Sequence, residues 1–181
     1  MLQNKYYGKY VEIGAFDPIE ISNTYLLENV YQWDGFSLDI VDRFAQTFNS
    51  KRRNECICAD GTAFDYSSQI KAKWGDIDRI DYLQVDCEPV ETTFKCLQAV
   101  PLDRYRFSVI TFETEYYSSG NKYRDMSREY LWDHGYFLVA QDVNNIGGDP
   151  FQDWWVDPTI ISEDIYRKYI CSGKIGKNIC S

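Results

Sequence analysis

Short apolar segments alternate with longer stretches of helical spacing, and this alternation constrains the fold of the 181-residue chain more than any other feature. Such a rhythm is typical of α/β proteins, in which helices cover both faces of a mostly parallel sheet. Residues 36–40 and 82–86 are mostly apolar rather than strictly alternating, as expected for strands that are buried on both faces. Six candidate strands follow one another along the chain, at residues 10–14, 35–40, 55–60, 80–86, 106–112 and 136–143.

The connection after the sixth candidate strand is too rich in turn residues to form a helix. Residues 144–150 read Asn-Asn-Ile-Gly-Gly-Asp-Pro, and the aromatic run 151–157 follows directly. Strand, loop and strand make a hairpin, so a seventh strand is predicted to run antiparallel to the sixth. The predicted fold is therefore α/β, a Rossmann-like three-layer sandwich with a mostly parallel seven-stranded sheet whose last strand is antiparallel.

The length of the chain favours one domain over residues 1–181, with a core at about residues 8–157 and a C-terminal helix and tail at 158–181. Helix signals fall in the gaps between the candidate strands. The predicted helices run from a cap at Ser22 or Asn23 to Gln32, from a cap at Asp42 to Asn49, and over residues 90–100, 127–133 and 162–169. The single histidine, His134, precedes Gly135 at a helix end, and we expect it to interact with the last carbonyl groups of that helix rather than act as a base.

The charge balance makes a nucleic-acid partner unexpected. The chain has 19 Lys and Arg against 28 Asp and Glu, for a net charge of −9, and its only basic run is 51–53. Nucleic-acid binding depends on many cations on one face.

No apolar run reaches the roughly 20 residues of a membrane span, and the N-terminus is polar where a signal peptide would be apolar. We predict no nucleic-acid partner, no membrane partner and a cytoplasmic location.

The cysteines favour reduced thiols over a disulfide framework or a metal site. They form no CxxC pair in a chain long enough to build a core without cross-links. Residues 56–58 would place two sulfurs on one face of a strand, but the local spacing supplies no further zinc ligands. The six cysteines are Cys56, Cys58, Cys87, Cys96, Cys171 and Cys180.

Acidic residues lie at the ends of the candidate strands, where open α/β sheets bind their ligands. Asp39 ends the second strand 25 positions after Gly14, and a carboxylate there can accept both hydroxyls of an adenosine ribose. Glu12 could receive an ammonium group, and Asp60 could accept the adenine amino group. The alternative for Asp39 is a cap for the following helix.

The turn after the first strand discriminates between nucleotide-like ligands. Residues 11–18 lack the GxGxxG fingerprint of dinucleotide sites and keep only Gly14, so a pyrophosphate cradle is poorly supported. A ligand with an amino acid end and a nucleoside end, but without phosphates, needs fewer glycines. The pattern therefore favours S-adenosylmethionine over NAD or a nucleotide sugar.

Four segments, residues 12–17, 22–28, 33–40 and 82–88, together resemble the FkbM-type branch of class I S-adenosylmethionine-dependent methyltransferases. The resemblance covers about residues 8–157 and implies a sheet with a reversed last strand and a cofactor held by the ends of the first three strands. The cofactor-binding residues expected on this basis are Glu12, Gly14, Ala15, Asp17, Ser22, Asn23, Asp39, Ile40, Asp60, Gly61 and Asp86.

The acceptor is expected at the fourth and fifth strand ends, where Asp86, Glu88 and Glu113 are the candidate catalytic residues. They would orient the acceptor or remove its proton, and the predicted reaction is O-methylation of a small molecule or a sugar hydroxyl. A divalent cation could sit among these carboxylates, but no metal is predicted.

The alternative function is a methyltransferase-like binding module without activity, favoured by Pro89 and by the absence of an N-terminal covering segment.

Tyr116 and Tyr117 either cover the acceptor or are loop aromatics. Trp154 and Trp155 point to opposite faces of a strand, and core packing is expected for both. The oligomeric state stays open, a homodimer being one option.

Overall fold

The computed structural model describes residues 1–145 and 147–172, the last two of them by their backbone only, and its centre is one mixed β-sheet. The strands are β1 (Lys9–Ile13), β2 (Asp34–Asp39), β3 (Glu55–Cys58), β4 (Arg79–Val85), β5 (Arg106–Glu113), β6 (Phe137–Asn144), β7 (Pro150–Val156) and β8 (Cys171–Ser172). They lie in the order β3-β2-β1-β4-β5-β7-β6-β8.

The direction of the seventh strand confirms the predicted hairpin. Strands β1 to β5 pair in parallel, whereas β7 pairs antiparallel with both β5 and β6. The predicted Rossmann-like seven-stranded sheet is thereby confirmed. The two-residue strand β8 adds to the outer edge of β6 in parallel, where the sequence predicted only a tail. The rest of that predicted tail, residues 173–181, lies outside the described residues.

Helices flank the sheet in the crossover positions. They are α1 (Tyr25–Asn29), α2 (Asp42–Lys51), α3 (Tyr66–Trp74), α4 (Val90–Ala99), α5 (Tyr116–Ser119), α6 (Lys122–Asp133) and α7 (Glu163–Tyr166), the last continued by a 3-10 turn at Arg167–Tyr169. The predicted extension of the first helix to Gln32 is wrong. The chain reverses at Gln32, which has a φ of 58°, so that Trp33 becomes buried at 1% exposure.

Three further helix predictions differ from the structure, the first being the cap of α1, which is Thr24 rather than Ser22 or Asn23. Asp42 is the first helical residue rather than the cap, a position taken by Val41. Helix α6 begins at Lys122 instead of residue 127. The sequence pattern did not predict its first residues as helical, because they are polar or exposed and carry no apolar periodicity. No bounds were predicted from the sequence for α3, and the short helix α5 was not predicted.

Apolar clusters cover both faces of the sheet, as expected for strands under helices on each side. Successive residues of β1 show this: Val11 belongs to the larger cluster, and Tyr10 belongs to the smaller one on the other face. Trp155 is fully buried in the larger cluster, with its ring edge-on to Trp132 at 6.3 Å between centroids. Core packing is thus confirmed for Trp155, while Trp154 is half-buried.

The predicted position of the single histidine at a helix end is confirmed. His134 is the C-cap residue of α6, and its ring Nδ1 lies 2.7 Å from the carbonyl oxygen of Tyr130. Among the helices of the described residues, none is long and apolar enough to cross a membrane.

Candidate functional site

A cleft of about 520 Å³ opens at the carboxyl ends of the central parallel strands, and most of the predicted site residues line it. Those that line the cleft are Glu12, Gly14, Ala15, Asn23, Asp39, Ile40, Asp60, Gly61, Asp86, Glu88 and Glu113. Asp17 and Ser22 are not among the lining residues. The volume lies within the usual range of small-molecule sites.

The turn after β1 brings two strand ends into close contact. Gly14 has a φ of 89°, and its N–H and that of Ala15 both donate to the carbonyl oxygen of Leu38, at 2.9 and 3.1 Å. A Cβ atom built on Gly14 would lie 1.7 Å from the carbonyl oxygen of Asp86. The single glycine of this turn is therefore required by both the backbone angle and the approach of the chain after β4.

The carboxylate of Asp39 holds two backbone groups at the cleft edge. Its Oδ2 accepts from the N–H of Phe16 at 3.0 Å, and its Oδ1 accepts from the N–H of Val41 at 2.8 Å. These bonds tie the β1 turn to the start of α2. Because each carboxylate oxygen has a second acceptor position, Asp39 can stabilise these turns and still receive a ligand hydroxyl.

Glu12 is the buried acid of the cleft, with 2% of its surface exposed. Its Oε2 accepts from the hydroxyl of Ser37 at 2.6 Å and from the hydroxyl of Thr24 at 2.9 Å. Burial raises the pKa of the Glu12 carboxyl to about 7, against the opposing effects of the two hydroxyl donors and the charge of Arg52. Near neutral pH, Glu12 therefore changes between its protonated and ionised forms.

A buried cation lies behind Glu12. The guanidinium of Arg52 pairs with Glu28 at 2.9 Å and donates to the Thr24 hydroxyl at 3.1 Å, the same hydroxyl that donates to Glu12. It also donates to the hydroxyl of Ser22 at 3.1 Å and to the carbonyl oxygen of Pro18 at 2.8 Å. Arg52 thus fixes the loop between β1 and α1 and orients the donor that Glu12 uses.

The two predicted residues outside the cleft wall shape this same loop. Ser22 Oγ accepts from the N–H of Tyr25 at 3.1 Å, and Asp17 Oδ1 accepts from the N–H groups of Ile19 and Glu20, each at 2.8 Å. The two backbone donors lower the pKa of Asp17. Both side chains therefore act on the loop conformation.

Aromatic and aliphatic side chains form the outer wall of the cleft near Asp60. Ile40 is 68% exposed, and the ring of Phe16 stands edge-on to Phe44 at 4.8 Å between centroids. Asp60 itself accepts from the N–H and the hydroxyl of Thr62, at 2.9 and 2.8 Å, which lowers its pKa. A ligand with a flat apolar ring could pack against this wall, and an exocyclic amine on that ring could then reach the Asp60 carboxylate.

Two carboxyl groups meet at the other end of the cleft. Glu113 ends β5 and forms a side-chain hydrogen bond with Asp86, which follows β4. Burial raises the pKa of Glu113 to about 10, helped by this hydrogen bond and by the charges of Asp86, Glu115 and Glu88. At neutral pH the Glu113 carboxyl is therefore protonated. The amide of Gln84 donates to the Asp86 carboxylate at 3.4 Å.

Tyr116 and Tyr117 lie on the short helix α5 and are not among the residues that line the cleft. The guanidinium carbon of Arg124 lies over the ring of Tyr116, 4.0 Å from the ring centroid. The neighbouring Tyr117 ring does not have this contact. Cys87 and Cys96 both line the cleft, with their sulfurs 4.0 Å apart.

Four cysteines are free thiols, namely Cys56, Cys58, Cys87 and Cys96. Cys180 lies outside the described residues, and the side chain of Cys171 is not described. Within residues 1–145 and 147–172, no group of three or more His, Cys, Asp or Glu side chains is arranged to hold a metal ion.

Sequence reasoning missed several residues of this site. Ser37 had a readable signal, because it is a polar residue in an apolar strand and is the register partner of Glu12. Thr24, Arg52 and Phe44 had none, since they reach the site only through tertiary contacts.

No family model matches the sequence, and no curated protein matches it. Solved structures do match the fold. A protein described as an rRNA-methylase from Clostridium thermocellum has a TM-score of 0.54 at 15% identity, over 84% of this chain and 87% of its own. Fibrillarin from Aeropyrum pernix, in complex with natively bound S-adenosyl-L-methionine, has a TM-score of 0.55 at 12% identity, over 84% and 68%.

The N-methyltransferase NodS from Bradyrhizobium japonicum has a TM-score of 0.53 at 10% identity, over 87% of this chain and 89% of its own. At such identities the likeness concerns the fold alone. The chain has a Rossmann-like fold that it shares with these three proteins. That fold also occurs in a protein described as an rRNA-methylase, so it does not by itself exclude a nucleic-acid substrate.

Proposed function

We propose that the chain is an S-adenosylmethionine-dependent methyltransferase of the FkbM-type branch that transfers a methyl group to a hydroxyl of a small molecule or a sugar. The observation that carries this proposal is the convergence of Glu12, Asp39 and Asp60 in one cleft, at the end of a sheet with the fold of such enzymes. We also propose that it acts in the cytoplasm.

The residues present fit the cofactor. The ionised carboxylate of Glu12 suits an ammonium group, Asp39 suits a pair of ribose hydroxyls, and Asp60 suits the adenine amino group beside the apolar wall of Ile40. The close backbone approach at Gly14 holds the β1 turn against the chain after β4, and both segments line the cleft. When bound, the cofactor supplies an electrophilic methyl group, and the chain supplies alignment and proton removal.

Proton removal falls to the two carboxyl groups at the β4 and β5 ends. Burial keeps the Glu113 carboxyl protonated at neutral pH, which leaves Asp86 beside it as the proposed acceptor of the proton from an acceptor hydroxyl. Glu88 lines the same end of the cleft and is placed to orient the acceptor. A small molecule is favoured over nucleic acid because the described lining has six carboxyl side chains and no basic one.

Calorimetric titration tests the proposal directly. We expect S-adenosylmethionine and its demethylated product S-adenosylhomocysteine to bind with a Kd in the micromolar range or below, about −8 kcal/mol. Folded protein that gives no binding heat at high micromolar ligand would contradict the function.

Asp39→Ala is expected to weaken cofactor binding by more than tenfold, about 1.4 kcal/mol, because both ribose hydroxyls lose their acceptor. Asp42→Ala is the matched control, since Asp42 is exposed and bonds only the side chain of Gln46, at 2.6 Å. Circular dichroism should show both variants folded, and titration should separate them. Equal affinity in Asp39→Ala and wild type would show that Asp39 only stabilises its turns.

Cofactor affinity is expected to fall as the pH drops through about 7, the pKa of Glu12. The group is neutral below its pKa and charged above it, so only the higher pH gives the ammonium group an anionic partner. Thr24→Val removes one hydroxyl donor to the ionised form, and the midpoint should then move to higher pH. Titrations between about pH 5.5 and about pH 8.5 measure this, with Glu12→Gln as the pH-insensitive control. A flat wild-type profile would rule out Glu12 as the amine site.

A further inference from the structure

Two cysteine thiols face each other in the wall of the cleft, apart from the carboxylates assigned above. Cys87 follows β4, Cys96 lies within α4, and their sulfurs are 4.0 Å apart, close to van der Waals contact. Both residues line the cleft, although Cys96 is otherwise buried. Two thiols therefore meet at a place that a small reagent can enter from solvent.

The chain around the pair holds the two sulfurs together. The hydroxyl of Thr93, one helical turn before Cys96, accepts from the N–H of Cys87 at 3.1 Å and donates to the Cys87 carbonyl oxygen. Helix α4 is itself anchored by Phe94 and Leu97 in the larger apolar cluster. Because the Cys87 backbone is fixed to the helix that carries Cys96, side-chain rotation is the movement that can bring the sulfurs to the roughly 2 Å of a disulfide bond.

Each sulfur lies beside a glycine of the cleft lining. A Cβ atom built on Gly14 would lie 3.3 Å from Sγ of Cys87, and one built on Gly61 would lie 2.9 Å from Sγ of Cys96. The lack of a side chain at both positions leaves the space that the sulfurs occupy. A ligand that contacts Gly14 and Gly61 therefore lies next to both thiols.

We propose that Cys87 and Cys96 form a thiol-oxidation site, at which hydrogen peroxide entering through the cleft produces a disulfide. The peroxide oxidises the more exposed Cys87 to a sulfenic acid and releases one water. The Cys96 sulfur then attacks that sulfenic sulfur, and its hydroxyl leaves as a second water. In total two thiols lose two hydrogen atoms to one peroxide, giving one disulfide and two waters. This site goes beyond the proposed methyl transfer, which uses neither sulfur.

The test uses the full chain, which is reduced, freed of reductant and treated with hydrogen peroxide until the exposed thiol of Cys58 is oxidised. Free thiols are then blocked, and the protein is digested with trypsin, which cleaves between the two cysteines after Lys95. The resulting peptides are residues 80–95, with Cys87, and residues 96–104, with Cys96. We expect mass spectrometry to find these peptides joined, lighter than their sum by two hydrogen atoms, and separated again by a reductant.

Cys58→Ser is the control, since the Cys58 sulfur is exposed and lies 3.8 Å from the carbonyl oxygen of Ile40. This variant should give the joined peptides to the same extent as wild type. Cys96→Ala removes the second thiol, so Cys87 should pass from sulfenic to sulfinic acid instead. The wild-type digest decides by itself should Cys96→Ala fail to fold. Free Cys87 and Cys96 after the treatment, or Cys87 joined to another cysteine, would overturn the proposal.

Occupation of the cleft provides a second readout, which rests on the proposed function. Saturating S-adenosylhomocysteine should slow the joining of the two peptides at least tenfold, because the bound ligand covers the route to the sulfurs. An unchanged rate with the ligand bound would refute entry through the cleft. Absence of ligand binding in the titration would instead contradict the proposed function, while the digest without ligand would still test the thiol pair.

Discussion

Gly14→Ala is expected to destabilise the fold by about 2–5 kcal/mol and to abolish measurable cofactor binding. About 1–2 kcal/mol comes from placing a side chain at a φ of 89°. About 1–3 kcal/mol more comes from overpacking, because the new Cβ would lie 1.7 Å from the carbonyl oxygen of Asp86. That oxygen belongs to the backbone, so relief requires the β1 turn and the chain after β4 to separate.

The matched control is Gly75→Ala. Gly75 has a similar φ of 75°, but a Cβ there meets nothing within 4 Å. The control therefore carries only the backbone cost, about 1–3 kcal/mol at a φ of 75° and a ψ of −154°, and should leave cofactor binding unchanged. Urea unfolding measures both variants, and titration measures their affinity. If Gly14→Ala were no more destabilising than Gly75→Ala, the close approach of the two strand ends would be refuted.

Arg52→Met is expected to destabilise the protein by about 3–5 kcal/mol, because it leaves the Glu28 carboxylate buried without its cation. The ion pair is almost fully enclosed, with side-chain exposures of 1% for Arg52 and 6% for Glu28. The loop that carries Ser22 and Pro18 also loses two hydrogen bonds. Denaturant unfolding at neutral pH provides the measurement.

Two comparison variants give this prediction its specificity. Lys95→Met breaks an exposed pair with Glu91, of 58% and 53% side-chain exposure, and should cost less than about 0.5 kcal/mol. The double variant Arg52→Met with Glu28→Gln should recover part of the lost stability, since no uncompensated charge remains. A loss below about 1 kcal/mol in Arg52→Met would mean that the buried pair contributes little.

The sheet could be predicted from sequence because its signals are local. The short turn-rich connection before residue 151 was enough to predict the reversal of β7, and the mostly apolar run of β4 was enough to predict a strand covered on both faces. The ends of the first four strands were predicted one or two residues too late, and those of the fifth and sixth one residue too early. Asp60 and Asp86 lie beyond the last paired residues of β3 and β4, in the loops that form the cleft.

The site could be predicted only in part. The acids at the strand ends follow from parallel topology, which brings the carboxyl ends of neighbouring strands to one edge. The partners that set their chemistry do not follow from it. Arg52 reaches Thr24 across 28 positions of sequence, and Glu113 reaches Asp86 from the neighbouring strand. Such contacts depend on the packed structure, and no spacing rule in the sequence encodes them.

A crystal structure of the protein soaked with S-adenosylhomocysteine tests the central claim most directly. We predict one ligand in the cleft, with its amino group at Glu12, its ribose hydroxyls at Asp39 and its adenine beside Asp60 and Ile40. A nucleoside bound with its ribose away from Asp39, or a ligand bound outside this cleft, would contradict the assignment of the three strand ends.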